Sequence, residues 1–79
     1  MYYWKSCHGS KTYYFFEIDP PDQHLVADHA PSQEVVDWMV SEGFDPAKLF
    51  YKANPKPGVL YTEDEKLAAK MRWKWKCEA

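Results

Sequence analysis

The sequence predicts an α+β fold: a small antiparallel sheet, built from an N-terminal hairpin plus C-terminal strands, with two helices packed mainly on one face. Three observations lead there. Two aromatic runs, Tyr2 to Cys7 and Thr12 to Ile18, flank a Gly9-Ser10 pair; such runs favour strands, and a Gly-X dipeptide suits a two-residue type II′ turn. Val35, Val36, Met39 and Val40 recur at helical spacing ahead of Gly43. The stretch Gly58 to Cys77, GVLYTEDEKLAAKMRWKWKC, reads as a short apolar strand, a helix start, a helix and an alternating strand. At 79 residues the chain makes a single domain, and an aromatic share of 18% helps so small a chain build a core.

The turn sets the register of the hairpin. With Gly9 and Ser10 as its loop residues, Trp4 faces Phe15, Tyr3 faces Phe16 and Lys5 sits opposite Tyr14, so both faces are aromatic. One face covers the core. The rings of the other are expected to pack under the long loop that follows. Asp19-Pro20-Pro21-Asp22 ends the second strand, because proline cannot donate to a ladder and restricts the residue before it. A loop then runs to about Pro31.

The first helix starts at Pro31 or Ser32 and runs to Glu42, with Gly43 in the left-handed stop position and Phe44 packing back on Met39 or Trp38. Asp45-Pro46 offers a cap followed by proline. Pro46 to about Phe50 therefore fits one short helical turn, while Leu49 to Lys52 fits a strand equally well. Asn54-Pro55-Lys56-Pro57-Gly58 is a loop leading to a strand at Val59 to Tyr61. Thr62 and Glu65 have the spacing of a capping box, and Glu63 and Asp64 add favourable charge to the first turn. From Met71 the period changes: Met71, Trp73, Trp75 and Cys77 alternate with Arg72, Lys74, Lys76 and Glu78, as in a half-buried closing strand.

The net charge of -2 conceals a strong asymmetry. No lysine or arginine lies between Lys11 and Lys48, while Glu17, Asp19, Asp22, Asp28, Glu34, Asp37, Glu42 and Asp45 make that middle wholly acidic. Part of it is displayed on the outer side of the first helix. A carboxylate-lined surface attracts basic grooves on other proteins and selects partners by charge. The C-terminal Arg72-Trp73-Lys74-Trp75-Lys76 is the second lead, since rings can stack on bases while cations track phosphates. On a strand, however, alternation puts both tryptophans on the core side and leaves Arg72, Lys74 and Lys76 alone on the wet side.

Catalytic and metal motifs are missing from the sequence. It has no Gly-rich phosphate loop, G-x-S-x-G elbow, H-E-x-x-H or paired C-x-x-C. His24, Asp28 and His29 form the one cluster of potential ligands, and they read as solvated loop residues, so neither metal nor cofactor is expected. Cys7 and Cys77 do not make a disulfide framework and read as free thiols. With no run of membrane-spanning length and no charged-then-apolar leader, the default compartment is the cytosol.

The segment from Val59 to Lys76, a strand followed by a TEDE-started helix and an AxxMRWKW-like run, resembles the short accessory proteins of tailed phages. That resemblance implies a non-enzymatic, stoichiometric binder of host machinery, acting in the host cytoplasm, and carries over no functional residue. The expectation is therefore a protein-interaction module that docks Glu34, Asp37, Glu42 and Asp45 on a basic partner, such as a host nucleic-acid-handling enzyme, and blocks it sterically. The alternatives are a small nucleic-acid-binding protein using Arg72, Lys74 and Lys76, and a structural component that self-associates through the spare aromatic face of the hairpin.

Overall fold

A computed structural model describes residues 1–53 and 57–76. Strands β1 (Tyr2–His8) and β2 (Lys11–Glu17) form the hairpin, and the pairs Trp4 with Phe15, Tyr3 with Phe16 and Lys5 with Tyr14 match the register read from the turn. Gly9 has φ +63° while Ser10 keeps a negative φ, as a type II′ turn requires. Beyond β2 the chain enters a 3₁₀ turn at Pro20–Leu25 and a two-residue ribbon, β3 (Val26–Ala27) with β4 (Ala30–Pro31). The sequence marks this stretch only as loop. Its reversal is made by Asp28 (φ 51°) and His29 (φ 59°), residue types that tolerate the left-handed region without glycine.

Helix α1 (Gln33–Ser41) ends as expected. Gly43 has φ +84°, the Phe44 amide donates to the Met39 carbonyl at 2.8 Å, and the Gly43 amide to the Val40 carbonyl at 3.1 Å, the two bonds of a Schellman stop. The Phe44 ring lies 6.3 Å from that of Trp38. Both readings of the next segment are realised in succession. Asp45 accepts from the Ala47 amide to start a 3₁₀ turn at Pro46–Lys48, and β5 (Phe50–Lys52) follows. After β6 (Val59–Thr62), helix α2 (Glu65–Trp75) closes the described chain.

All strand pairs are antiparallel, and the four-stranded sheet has the order β1-β2-β6-β5. Tyr14, Phe16 and Leu60 point from one face of this sheet into a core that also holds Ile18, Leu25, Val35, Met39, Leu49, Leu67, Ala68 and Met71. Both helices and the Pro20–Pro31 segment therefore lie on that face. Among the described residues no helix is long and apolar enough to cross a membrane.

The structure corrects three expectations. The closing strand expected from Met71 is helix instead: Met71, Arg72, Trp73, Lys74 and Trp75 continue α2, and Lys76 ends it in the left-handed conformation. The helical period wins because Leu67, Met71 and Trp75 recur every fourth residue with Ala68 beside them, all on the core side, and no glycine or proline interrupts them. The fourth place in the sheet is taken by β5 instead. The cap is also displaced. Thr62 completes the β2 ladder opposite Tyr14, so Asp64 becomes the N-cap and accepts from the Lys66 and Leu67 amides at 2.9 and 3.1 Å. Finally, the loop after β2 does not cover the second aromatic face, because Leu25 anchors that loop in the core on the other side. Cys77, Glu78 and most of the Asn54–Gly58 turn lie outside the described residues.

Candidate functional site

Two exposed aromatic surfaces occupy opposite sides of the molecule. The first is the sheet face away from the helices. Pairing sets Trp4, Phe15, Tyr61 and Phe50 side by side across all four strands. Trp4 stacks on Phe15 at 5.2 Å with planes 9° apart, Phe15 lies 5.7 Å from Tyr61, and Tyr61 lies 5.3 Å from Phe50. Tyr13 packs against both Phe15 and Tyr61, and the Lys52 ammonium sits 5.5 Å from the centre of the Phe15 ring.

This ladder is a small packed layer of its own. Phe15 is 8% exposed and Val59 5%, yet neither joins the main core cluster on the other face; neighbours on their own face cover them. The ends of the ladder stay open to solvent, with Trp4 37% and Phe50 44% exposed, and Tyr2 lies open beside them. Because the rings stack on one another, the faces of the inner two are already occupied. Lys11, Lys52 and Glu17 give the face both signs of charge. The Ser6 hydroxyl and His8 Nε2 lie 3.3 Å apart at one end in a solvent-exposed contact, and His8, Tyr13, Phe15, Lys52 and Tyr61 line an open depression on this face.

The second surface is the outer side of α2. Lys66, Ala69, Lys70 and Trp73 follow one another at helical spacing and, with Phe44, line an open groove. Trp73 is 78% exposed. Lys70 reaches Glu42 at 3.3 Å, closing one side of the groove. The other residues of the basic run have different roles. The Arg72 guanidinium lies 4.3 Å from the centre of the Tyr3 ring, and Trp75 meets Trp38 edge-on at 4.9 Å, joining α2 to β1 and to α1. The helix thus separates Trp73 from Trp75 and puts Trp73 among lysines, where a strand would have buried it.

The acidic residues singled out in the sequence are dispersed, and each meets a neighbour in its own chain. Glu34 lies 3.8 Å from His24, Asp37 accepts from Gln33 at 2.7 Å, Glu42 pairs with Lys70, and Asp45 caps the short turn. His24 and His29 are also apart in role: His29 rests edge-on against Tyr51 at 5.5 Å, and Asp28 beside it is a turn residue. Among the described residues no three His, Cys, Asp or Glu side chains converge as a metal site. Sequence reasoning missed Phe50, Tyr61 and Lys52 as parts of the first surface and Trp73 as the centre of the second. The signal for the former was the alternation of Phe50 with Lys52 and of Val59 with Tyr61, too short to read without knowing the strand order.

No protein-family model matches the chain, and no curated protein or solved structure matches it either.

Proposed function

We propose that the chain is a non-catalytic protein-interaction module whose working surface is the open aromatic face of the sheet, and that a second copy is its first occupant. The observation that carries this reading is the unbroken Trp4–Phe15–Tyr61–Phe50 ladder, a packed apolar layer with nothing over it among the described residues. Exposed apolar patches of this extent mark interaction sites. The acidic stretch is the weaker candidate, since its carboxylates are scattered over α1 and two turns and engaged locally.

Geometry and charge favour a copy of the same chain. A twofold axis between two such sheets, parallel to the strands, sets β1 against β5 and β2 against β6. Trp4 of one copy then meets Phe50 of the other, Phe15 meets Tyr61, and Tyr2 meets Lys52, each contact occurring twice. The two most exposed rings of the ladder cover each other. A face carrying both signs of charge suits a self-complementary contact better than a polyanion, which wants cations throughout and free ring faces.

Strand dimensions give the face a flat area of about 400 Å² per copy, below the ~800 Å² per partner of a standard interface, so association is weak. Sedimentation equilibrium between about 5 µM and about 1 mM covers the corresponding range of dissociation constants. A reversible monomer–dimer equilibrium is expected. A strict monomer across that range rules out the second copy as occupant.

A further inference from the structure

We propose that the outer face of α2 is a binding site for single-stranded nucleic acid, with Trp73 as the stacking platform and Lys66, Lys70 and Lys74 as the phosphate contacts. This site is independent of the sheet face, which lies on the other side of the molecule.

The charge of the segment comes first. From Glu65 to Lys76 one carboxylate stands against Lys66, Lys70, Arg72, Lys74 and Lys76, so a chain of net charge -2 carries a concentrated basic strip on one helix. Local charge of one sign, not the average over the chain, attracts a phosphate backbone. Helical geometry then arranges it. Lys66 and Lys70 are one turn apart on the side of Trp73, about 6 Å along the axis, and Lys74 extends the row by another turn. Arg72 is not part of this row, because it is engaged over Tyr3.

The ring is equally telling. An indole that is 78% exposed on a helix, with no other ring stacked on it among the described residues, is open to a stacking base. This contrasts with the sheet, where the inner rings occupy one another's faces. Ala69, one turn before Trp73, leaves space for a base beside the indole, and Phe44 supplies the apolar floor of the groove. Stacking on an aromatic ring with cations along the backbone is how proteins hold single strands without reading sequence. An acidic peptide shares the attraction to lysines but does not require a free indole face.

Glu42 makes the site adjustable. It pairs with Lys70 at 3.3 Å and places a negative charge at the groove edge, in competition with a phosphate. Removing that charge should therefore strengthen binding.

The test is an anisotropy titration of a fluorescein-labelled 20-nucleotide oligo(dT) with the full chain, at low and moderate salt. Binding is expected with a log–log salt slope of about -2, the value for three phosphate contacts on a single strand. Trp73→Ala should weaken it at least about fivefold, with Trp73→Phe restoring part of the loss. Glu42→Gln should tighten it. Poly-glutamate, a polyanion without bases, should bind more weakly than oligo(dT) and should not distinguish wild type from Trp73→Ala. Absence of binding at low salt overturns the proposal. So does binding that Trp73→Ala leaves unchanged, or that poly-glutamate matches in affinity, since either reduces the site to an unspecific basic helix. The altered side chains are solvent-exposed or lie at the groove rim, and circular dichroism of each variant verifies that it is folded.

Discussion

Replacing Phe50 by serine tests the sheet-face contact directly. Phe50 lies on the short edge strand β5 and is 44% exposed. A phenylalanine presents about 200 Å² when fully exposed, so close to ~90 Å² remains available to a partner, worth about 2 kcal/mol at ~25 cal/mol per Å². A twofold contact contains the residue twice, so Phe50→Ser should cost the dimer about 4 kcal/mol, close to a thousandfold in dissociation constant. Within the monomer the ~110 Å² of the residue already buried is worth about 3 kcal/mol on the same scale, with the ring contact to Tyr61 in addition, so the variant is also less stable. Sedimentation equilibrium should therefore show a monomer at concentrations where wild type dimerises, with circular dichroism confirming that the variant is folded under the same conditions. If the variant associated as strongly as wild type, the ladder would not be the contact surface and the reasoning from its exposed ends would be wrong.

Other consequences are as specific. The buried Ser32 hydroxyl at the start of α1 has no hydrogen-bond partner among the described residues, so Ser32→Ala should leave urea stability unchanged or raise it by up to ~1 kcal/mol, against the loss usual for an N-cap serine. Asp64→Ala, which removes the acceptor of two backbone N–H hydrogen bonds at the start of α2, should cost about 1–2 kcal/mol in the same assay, while Glu63→Ala stays within about 0.5. Tyr14 supplies a pH dependence. Burial, and then the Glu65 carboxylate 3.3 Å from its hydroxyl, holds the phenol above its ordinary value of 10.0. The folded phenol therefore stays protonated where the unfolded one ionises, so its contribution is complete below about pH 10 and is lost as pH rises through the folded value. Between about pH 9 and pH 11, wild type should lose more stability in urea titrations than Tyr14→Phe does.

What could be read from the sequence follows the range of the interactions. The β1–β2 register needed only a two-residue turn, and the end of α1 needed only Gly43 and the residues around it; both are local and both were legible. The end of the chain was not, because two periods fit the same letters. Met71, Trp73 and Trp75 alternate, but Leu67, Met71 and Trp75 also recur every fourth residue, and what decides between them is the place of β5 beside β6. Three residues, Phe50 to Lys52, carry too little pattern to reveal that. The sheet-face site suffered likewise. Its hairpin half was visible as a second aromatic face, whereas Tyr61 and Phe50 joined it through pairings between segments distant in the chain. Trp73 was misplaced by the same mistaken strand, and once the helix continues it becomes the most exposed large ring of the described chain.

The four tryptophans also make the protein its own optical instrument. Trp4 rests on the sheet face, Trp38 and Trp75 meet edge-on between the helices, and Trp73 stands in water. Two indoles 4.9 Å apart couple their electronic transitions, so the Trp38–Trp75 pair should give a paired positive and negative band in the far-ultraviolet dichroism that vanishes when α1 and α2 separate. Trp4 and Trp73, on opposite sides, respond by emission to events at different surfaces. Single tryptophan-to-phenylalanine variants would give each surface its own signal without an attached label.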